Sequence, residues 1–558
     1  MQSFLQSSAR AFVFAASICC LGGSADGAVH RVSESGFWTV VLPPPLGGQT
    51  IVPVPRHLQD VLAIAQAGDE IWVAAGTYSP DKGSNVTAGD RGASFGLRTG
   101  VSILGGFFGN ETAAEQRNPT ANPTILSGDI GVPGQHGDNS YSVVSAIGVN
   151  NTAILDGFTV TRGQASAPVL GFGGLGGGAY VSTGQGPTIR DCTFADNFAL
   201  GGAGIAAYNT TGIVIENCLF TRGNANNRGG AIDLTASTNA SIIECAFDDN
   251  VGHHGGALYA NEGSGGSVKR SRFLRNASVN GGGAFFAGFS AMTVSECVFM
   301  KNECRQFQFF QTSWDGGAVK NWCTASKFIN CLFVSNSANG QGGALFDGGP
   351  SGSSASIVNC TFYDNFSRDG GTIAATVPHT PTLVNSILWG NRRQDGTSVS
   401  TQGDVIASFS AMEQTGATSG ISTADPMFAD PDGPDDVIGT LDDDFRLSAV
   451  SPYIDAGSLA AIPVGTTTDL AGGVRVLDGD GFGAALPDLG AYEYIAAPPP
   501  PCFGDSDGNR VVNFNDITTV LANLGSSGPL GDADLSGTVN FADVAMVLAS
   551  LGSNCEPS

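Results

Sequence analysis

The stretch Cys245-Ala-Phe-Asp-Asp-Asn250, followed by Gly255-Gly-Ala-Leu258, contains both halves of a unit that recurs through the middle of this 558-residue chain. One half is Phe-x-x-Asn and the other is Gly-Gly-small-apolar. The apolar anchors lie 26, 27, 26, 26, 34, 29 and 26 residues apart, at Phe194, Phe220, Phe247, Phe273, Phe299, Phe333, Phe362 and Leu388. Such a period, rich in β-formers and glycine and without helical periodicity, predicts a β-solenoid.

Stacked coils place equivalent residues directly above one another. The anchors are therefore expected to form an internal aromatic stack, and the asparagines an internal ladder that satisfies backbone groups in the turns. The ladder would consist of Asn197, Asn250, Asn276, Asn302, Asn336, Asn365 and Asn391, with Asn224 one place late in its coil. The Gly-Gly pairs would provide positive φ angles and close approach at tight corners. Eight coils at ~4.8 Å predict a rod of roughly 40 Å.

Cysteines occupy a second fixed register, two residues before the anchors. They are Cys192, Cys218, Cys245, Cys297, Cys331 and Cys360, while Ser271 and Ser386 take this place in two other coils. The two-residue period of a strand directs them inward, with the phenylalanines. A metal or redox array is one interpretation. Serine in the same register favours the other, a column of small buried side chains.

The charge balance restricts the partners. The chain has 25 Lys+Arg against 50 Asp+Glu, a net charge of −25. This balance argues against nucleic acid or an anionic membrane surface, and it is consistent either with cation binding or with an acidic secreted surface.

Residues 1–28 have the pattern of a secretory signal peptide. Arg10 precedes an apolar run from Ala11 to Leu21, and small residues follow up to Ala28. This run is too short to span a bilayer, and no later run is long enough to do so. We therefore expect a mature extracytoplasmic chain without a transmembrane segment, in a compartment where disulfides form. Cys304 and Cys323 flank an insertion and are one candidate pair.

Two Asp-rich loops lie near the C-terminus, Asp505-Ser-Asp-Gly-Asn-Arg-Val-Val-Asn-Phe-Asn-Asp516 and Asp532-Ala-Asp-Leu-Ser-Gly-Thr-Val-Asn-Phe-Ala-Asp543. Oxygen side chains at loop positions 1, 3, 5, 9 and 12, with a backbone carbonyl at position 7, are the ligands of Ca²⁺. The predicted ligand sets are Asp505, Asp507, Asn509, Val511, Asn513 and Asp516, and Asp532, Asp534, Ser536, Thr538, Asn540 and Asp543. Cys502 and Cys555 bracket these loops and are a second candidate disulfide.

The Gly-Gly-Ala and Phe-x-x-Asn units resemble the repeat of polymorphic outer-membrane proteins. Residues 55–494 as a whole resemble secreted bacterial right-handed parallel β-helix proteins, through Leu58–Ala65, Gly68–Tyr78, Gly105–Gly109 and the closing motif Asp488-Leu-Gly-Ala-Tyr-Glu-Tyr494. The resemblance implies a mainly β, pectate-lyase-like right-handed parallel β-helix over residues 50–400, with an N-terminal helical cap, and a C-terminal flank over 401–494. The acidic stretch from Asp430 to Asp444 is either a solvated loop or a further cation site.

Residues 502–558, after a Pro-rich linker at 495–501, resemble a type I dockerin. The resemblance implies a small α-helical calcium-binding domain that docks onto a cohesin. Position 12 is Asp, as in dockerins, and exit helices are expected over 516–524 and 543–551. Arg510 replaces the glycine that Gly537 retains, so the second loop is expected to be the tighter site. Positions 10 and 11, Phe514-Asn515 and Phe541-Ala542, lack the Ser-Thr pair of well-known dockerins, which leaves another anchoring role open.

No catalytic residue follows from the sequence. Asp248-Asp249 and His253-His254 are similar to polygalacturonase motifs, but they lie too close together in the chain, and Arg392-Arg393 is only a candidate lyase cation. Two function classes remain. One is a secreted, adhesin-like binding protein with polysaccharide as its ligand, and the other is a polysaccharide lyase or glycoside hydrolase, because right-handed β-helices often carry such enzymes and fold alone does not transfer activity.

Overall fold

A computed structural model describes residues 27–42, 48–167, 173–305, 314–350, 352–413, 421–479, 481, 483–496 and 502–553. Residues 1–26 of the predicted signal peptide lie outside the described residues. The chain divides into two compact units, Met1–Tyr494 and Ile495–Ser558. No helix among the described residues combines the length and the apolar character needed to cross a bilayer.

The first unit is a right-handed parallel β-helix, which confirms the predicted fold class. Among the described residues, its coils form four parallel sheets of 13, 13, 9 and 11 strands, which we number 1 to 4 in the order the chain visits them. Each full coil runs from sheet 1 through sheets 2, 3 and 4 and back to sheet 1. Thirteen stacked strands extend roughly 58 Å. The helix therefore continues beyond the eight recognisable repeats at both ends, through coils without the Phe-x-x-Asn unit.

Sheet 1 consists of Val29–Val32, Glu70–Ala74, Ser102–Phe107, Ile154–Asp156, Thr188–Arg190, Val214–Glu216, Ala240–Ile243, Gly266–Lys269, Met292–Ser295, Lys327–Ile329, Ser356–Val358, Thr382–Val384 and Ile406–Ser408. Sheet 2 consists of Gly76–Tyr78, Thr124–Ser127, Phe158–Thr161, Thr193–Ala195, Leu219–Thr221, Ala246–Asp248, Arg272–Leu274, Val298–Met300, Leu332–Val334, Thr361–Tyr363, Ile387–Trp389, Ser410–Met412 and Ile421–Ser422.

Sheet 3 consists of Gln164–Ala165, Phe198–Gly201, Asn224–Arg228, Val251–His254, Ala277–Ser278, Glu303–Cys304, Ser337–Ala338, Phe366–Ser367 and Arg392–Arg393. Sheet 4 consists of Phe95–Gly96, Val144–Ile147, Ala179–Ser182, Ile205–Tyr208, Ile232–Thr235, Leu258–Asn261, Phe285–Gly288, Val319–Trp322, Leu345–Gly348, Ile373–Ala375 and Thr401–Gln402. Short 3₁₀ helices lie at Ala114–Gln116, His136–Asp138 and Leu459–Ala461.

The predicted aromatic stack forms the centre of the rod. Seven consecutive rings, Phe194 to Phe362, stack with centroids 4.6–5.1 Å apart and nearly parallel planes. The Gly-Gly corners behave as expected. Gly255 has a φ of +63°, and a Cβ on Gly256 would lie 2.0 Å from the carbonyl oxygen of Gly283. Glycine at these corners is therefore required both by backbone conformation and by the close stacking of coils.

The asparagine ladder is confirmed, with one interruption. The Asn302 side chain donates to the carbonyl oxygen of Phe273 at 2.8 Å and to Asn336 Oδ1 at 2.9 Å, and its neighbours repeat the pattern. In the coil of Phe220 the ladder position is Gly223, whose N–H donates to Asn250 Oδ1 at 3.0 Å. Asn224, displaced by one residue, is exposed. A shift of one residue moves a strand side chain to the opposite face.

The six cysteines that lie two residues before the anchors are all buried and free. Their thiols donate to carbonyl groups, as when Cys245 Sγ contacts Ile243 O at 3.3 Å, and Ser271 Oγ makes the equivalent bond to Lys269 O at 3.0 Å. Burial raises the pKa of the Cys297 and Cys360 thiols. These neutral, carbonyl-bonded thiols agree with the interpretation as a column of small buried side chains.

The predicted disulfide between Cys304 and Cys323 is wrong, because both cysteines are free in the structure. Cys304 ends a strand of sheet 3, whereas Cys323 directly follows the sheet 4 strand Val319–Trp322. The two thiols thus lie on different faces of the solenoid, although they flank the same insertion in the sequence.

The N-terminal end of the rod is capped. Helix α1, Leu58–Leu62, buries Leu58, Val61 and Leu62 against the first coils, where the sequence predicts the capping helix. The first strand, Val29–Val32, precedes the predicted start at residue 50. An antiparallel hairpin, Phe37–Leu42 with Gly48–Pro53, adds Trp38 to a small cluster outside sheet 1.

The C-terminal flank folds back along the rod. It contains the antiparallel pair Phe428–Asp430 and Asp444–Leu447 and then contacts successive coils. Asn385 Nδ2 donates to Ser458 O at 3.1 Å, and Asn330 Nδ2 donates to Thr468 O at 2.6 Å. The flank therefore covers the turn between sheets 1 and 2 over the later coils.

The second unit contains helix α2, Phe514–Ala522, and helix α3, Phe541–Ala549. Each begins and ends two residues earlier than predicted. Asn513 and Asn540 are the N-caps, and Asp516 and Asp543 complete the capping boxes. A capping box satisfies the first free N–H groups of a helix, so these aspartates lie inside the first turn instead of starting it.

Candidate functional site

A groove runs along the rod over the turn between sheets 1 and 2. It consists of two adjoining cavities of about 650 and 510 Å³, which share Asn217 and Leu219. The floor comes from the turn residues of successive coils, from Asp191 to Glu296. Five such turns span roughly 19 Å at the coil spacing. The groove is thus an extended channel suited to a chain-like ligand.

Two segments outside the repeats form the walls of the groove, one at each end. Glu115, Arg117, Pro119 and Thr120 form one wall, and Leu470, Ala471, Gly472 and Tyr492 form the other. Burial raises the pKa of Tyr492, so its phenol stays protonated. The groove exists because the flank stops at the coil of Glu296, leaving the earlier turns uncovered.

Charged side chains on the floor alternate in sign along the rod. Arg270 Nε lies 2.8 Å from Glu244 Oε1, and Arg270 Nη1 lies 3.9 Å from Glu296 Oε2. Glu296 is largely buried, and its carboxylate also accepts a hydrogen bond from Thr468 Oγ1 at 3.2 Å. The flank therefore holds one carboxylate of this row in place, which gives the row a defined geometry.

A buried charge cluster lies behind the second wall. The Arg475 guanidinium is fully buried, with Nε 2.9 Å from Glu493 Oε1, and Nη2 donates to Asp488 O at 2.7 Å. Asp469 accepts the N–H of Glu493 at 3.0 Å. The Glu493 carboxyl group pairs directly with the guanidinium, while those of Asp488 and Asp469 act on it through their charge. Burial raises the pKa of Glu493 to about 9 and that of Asp488 to about 6.

In the second unit, each Asp-rich loop brings three of its predicted ligands together. Carboxylate oxygens of Asp505, Asp507 and Asp516 lie within 4.8 Å of one another, and those of Asp532, Asp534 and Asp543 do the same. Burial, with the neighbouring Asp516 and Asp505, raises the pKa of Asp507. These are the only such groups of three among the described residues, so the stretch from Asp430 to Asp444 does not form one.

The remaining predicted ligands make hydrogen bonds within their own loops. Asn513 Nδ2 donates to Val511 O at 3.0 Å, and Asn540 Nδ2 donates to Thr538 O at 3.0 Å. Both asparagines also cap helices through Oδ1. At position 5, Asn509 Oδ1 accepts the N–H of Val511 at 2.8 Å, and Ser536 Oγ donates to Thr538 O at 3.3 Å. Position 9 commonly reaches a cation through water.

The two loops distribute their glycines differently. Positions 4 and 6 have positive φ in both loops, at +79° for Gly508 and +64° for Arg510, and at +58° for Leu535 and +87° for Gly537. Each loop therefore places one non-glycine residue in the left-handed region. That the second loop is the tighter site stays a prediction, and Leu535 gives that loop the left-handed non-glycine residue that Arg510 gives the first.

The second unit has paired exposed apolar residues. Val520 and Val547 are buried between the helices. The equivalent pairs Phe514/Phe541, Leu521/Leu548 and Leu524/Leu551 are exposed, Phe541 by 71%. Cys502 is disulfide-bonded, and its predicted partner Cys555 lies outside the described residues, so their pairing stays a prediction.

The polar pairs considered as catalytic candidates do not meet in one site. Asp248 and Asp249 both pair with Arg275 of the next coil, at 2.6 and 3.3 Å. His253 and His254 belong to sheet 3, where burial lowers the pKa of His254 to about 4. Arg392 pairs with Asp364. The groove itself was not predicted from the sequence, although the polar residues directly before the column of cysteines mark the turns that form its floor.

A family comparison supports the fold over the repeated part of the chain. The family described as "Right handed beta helix region" matches residues 177–351. No curated protein matches this chain. Among solved structures, pectate lyase Pel9A is 13% identical and aligns over 85% of this chain and 98% of its own, with a TM-score of 0.40. An alginate lyase from Paenibacillus sp. str. FPU-7 is 13% identical over 68% and 99%, with a TM-score of 0.36.

A rhamnogalacturonan lyase is 12% identical over 75% of this chain and 96% of its own, with a TM-score of 0.38. At these identities the comparisons concern the fold alone. The chain is thus a right-handed parallel β-helix protein with a separate small helical unit at its C-terminus.

Proposed function

We propose that the β-helix binds a polysaccharide along the groove between sheets 1 and 2 and cleaves it, as a polysaccharide lyase or a glycoside hydrolase. The observation that carries the proposal is the row Glu244–Arg270–Glu296 on the groove floor. An extended, polar channel with apolar and aromatic wall residues matches the hydroxyl edges and apolar faces of a sugar chain.

The row has the groups that either reaction needs. Glycoside hydrolysis uses two carboxylates on one groove, one as acid and one as base or nucleophile. Elimination needs a base for the sugar proton and a cation that stabilises the developing negative charge. Glu244 and Glu296 flank Arg270, and Thr468 orients Glu296.

Binding without cleavage is the second candidate. It is favoured by the ion pairs themselves, because the Glu244 and Glu296 carboxylates both lie within reach of Arg270 and Glu296 also pairs with Lys269 at 3.2 Å. A carboxylate paired with a guanidinium is a weaker base than a free one. In this case the protein is adhesin-like and holds a polysaccharide without changing it.

A screen on soluble polysaccharides separates the two. The full chain is incubated with acidic and neutral polymers, and new reducing ends, unsaturated sugar products and retained polymer are measured. Product formation that is lost in Glu296→Gln, with polymer binding kept, supports the enzyme. Binding without product, equal in both proteins, supports the binding protein. Absence of both contradicts the groove as a polysaccharide site.

We further propose that each Asp-rich loop holds one Ca²⁺. The first would be bound by Asp505, Asp507 and Asp516 with the Val511 carbonyl, and the second by the equivalent residues of the second loop. The crowded carboxylates support this, because three of them within 4.8 Å repel one another unless a cation compensates. We expect the unit to unfold in chelator and to refold with Ca²⁺, and circular dichroism unchanged by chelator would contradict this.

The second unit is proposed as the attachment module, with a cohesin-type protein as partner. The support is its exposed, duplicated apolar surface, since Phe514/Phe541 and Leu521/Leu548 leave unusually large apolar groups in water. Binding to a purified type I cohesin should require Ca²⁺ and weaken in Phe541→Asp. Failure with several cohesins would favour another surface partner. A secreted or cell-surface location, as the sequence of residues 1–28 indicates, accords with both proposed roles.

A further inference from the structure

We propose that Arg272 is the residue that selects for acidic polysaccharides in the groove, by binding an anionic substituent of a sugar ring, a carboxylate or a sulfate. This inference rests on the proposed function of the groove. It adds a substrate class and assigns it to one side chain.

Three arginines line the groove, and two of them are already neutralised. Arg117 Nη2 lies 2.5 Å from Asp156 Oδ1, and Asp156 is fully buried. Arg270 pairs with Glu244 and Glu296. Within the described residues, Arg272 is the groove arginine that has no carboxylate within 4 Å. Its guanidinium is therefore not occupied by an ion pair with a neighbouring carboxylate.

The surroundings of Arg272 favour an anion over water. It is the first residue of its sheet 2 strand, exposed to the groove, and its register partners in the adjacent coils are Ala246 and Val298. Leu219 lies in the same column, two coils before Arg272. A guanidinium on an apolar column offers bidentate hydrogen bonds with little competition from neighbouring acceptors, which suits a planar carboxylate or a sulfate.

The position within the groove also fits this role. Tyr492 and Leu470 line the same cavity as Arg272 and supply an aromatic and an apolar surface for the ring that carries the anion. Asp248, on the adjacent strand of sheet 2, is paired with Arg275 at 2.6 Å. The two glutamates and two arginines that line this cavity balance in charge, and Arg272 is the arginine of the four that no carboxylate of the described residues pairs within 4 Å.

The test compares binding of the full chain to matched polymers. Polygalacturonate is paired with its methyl ester, and dextran sulfate with dextran, which separates carboxylate, sulfate and neutral ligands. We expect tighter binding of an acidic polymer than of its neutral partner, a loss of roughly tenfold or more in Arg272→Gln for the acidic polymer alone, and partial retention in Arg272→Lys. Arg305→Gln, an exposed arginine paired with Glu303 on sheet 3, is the control and should change nothing.

The outcomes separate this inference from the proposed function. Binding of acidic and neutral polymers with equal affinity, or an Arg272→Gln variant that binds acidic polymer as tightly as wild type, overturns the role of Arg272 and leaves the groove proposal standing. No binding of any polymer overturns both. Loss of neutral and acidic binding alike in Arg272→Gln, with unchanged thermal unfolding, also overturns charge selection.

Discussion

The Asn302 side-chain amide donates to Asn336 Oδ1 over 2.9 Å, although these residues are 34 positions apart in the chain. Their neighbours in the ladder are separated by 26 or 29 positions and make bonds of 2.9–3.0 Å. The ladder bond of this longer repeat is therefore as short as those of the other repeats. The internal hydrogen bonds, not the length of each coil, define the register of the rod.

Replacing Asn302 by Ala should destabilise the β-helix by about 1–3 kcal/mol, because it leaves the buried carbonyl of Phe273 and the N–H of Asn276 without partners. Asn224→Ala is the control. That asparagine is exposed outside the ladder, and its removal should change stability by less than about 0.5 kcal/mol. Urea unfolding followed by circular dichroism measures both. Equal midpoints for the two variants would contradict a structural role for the ladder.

Arg510→Gly and Leu535→Gly should each tighten calcium binding by the loop that contains the substitution. The left-handed backbone costs a non-glycine residue about 1 kcal/mol, which corresponds to roughly fivefold in affinity. Calorimetric calcium titration of the full chain measures the change. Arg510→Lys and Leu535→Ala keep a Cβ at the same φ and serve as controls. A gain in only one of the two glycine variants would show that the loops are not equivalent.

The stability of the β-helix should fall as pH rises from about 6.5 to 8.5. The pKa of Glu493 is raised to about 9, so the folded state retains a proton that the unfolded chain releases above its ordinary pKa of 4.5. The slope is at most about 1.4 kcal/mol per pH unit for one proton. Asp488, with its pKa near 6, has largely titrated below this window.

Glu493→Gln should flatten this dependence, because the amide cannot release a proton and still accepts from Arg475. Exposed Glu262→Gln should leave the slope as in wild type. Thermal unfolding across the pH series measures the effect. A variant with the wild-type slope would mean that Arg475 keeps Glu493 ionised in the folded state.

Leu219→Trp should weaken polysaccharide binding at least tenfold, since Leu219 lines both cavities of the groove and an indole would obstruct their junction. Val251→Trp places the same side chain at an exposed position of sheet 3 and should bind as wild type. Affinity electrophoresis in polymer-containing gels compares them. Similar mobility shifts for both variants would place the binding surface elsewhere.

The repeated part of the fold was predictable because equivalent residues in stacked coils have the same orientation. Phe247 and Asn250 lie on the inner face in their coil, so every residue in their register does too. Asn224 shows the limit of this rule, since one residue of displacement turned it to solvent. The groove was not predictable, because Arg117 and Tyr492 come from segments outside the repeat, and their position depends on how the chain folds back.

The same limit explains the error at Cys304 and Cys323. Flanking positions in the sequence suggested proximity, but the coil placed them on different sheets. In the Asp-rich loops, the spacing correctly indicated which carboxylates converge, since a twelve-residue loop determines its own geometry. It did not reveal that Leu535 shares the backbone conformation of Gly508.

The fold-back of the flank determines where a mechanical load enters the β-helix. The residues that lead toward the linker do not leave from the last coil, since the N–H of Ala491 donates to Thr361 Oγ1 at 3.0 Å and that of Gly490 to Asn385 O at 2.8 Å. A pull on the chain after Tyr494 would thus act first at Thr361 and Asn385. Both residues lie in coils before the last, so the strands of the last coil would not be the first to separate.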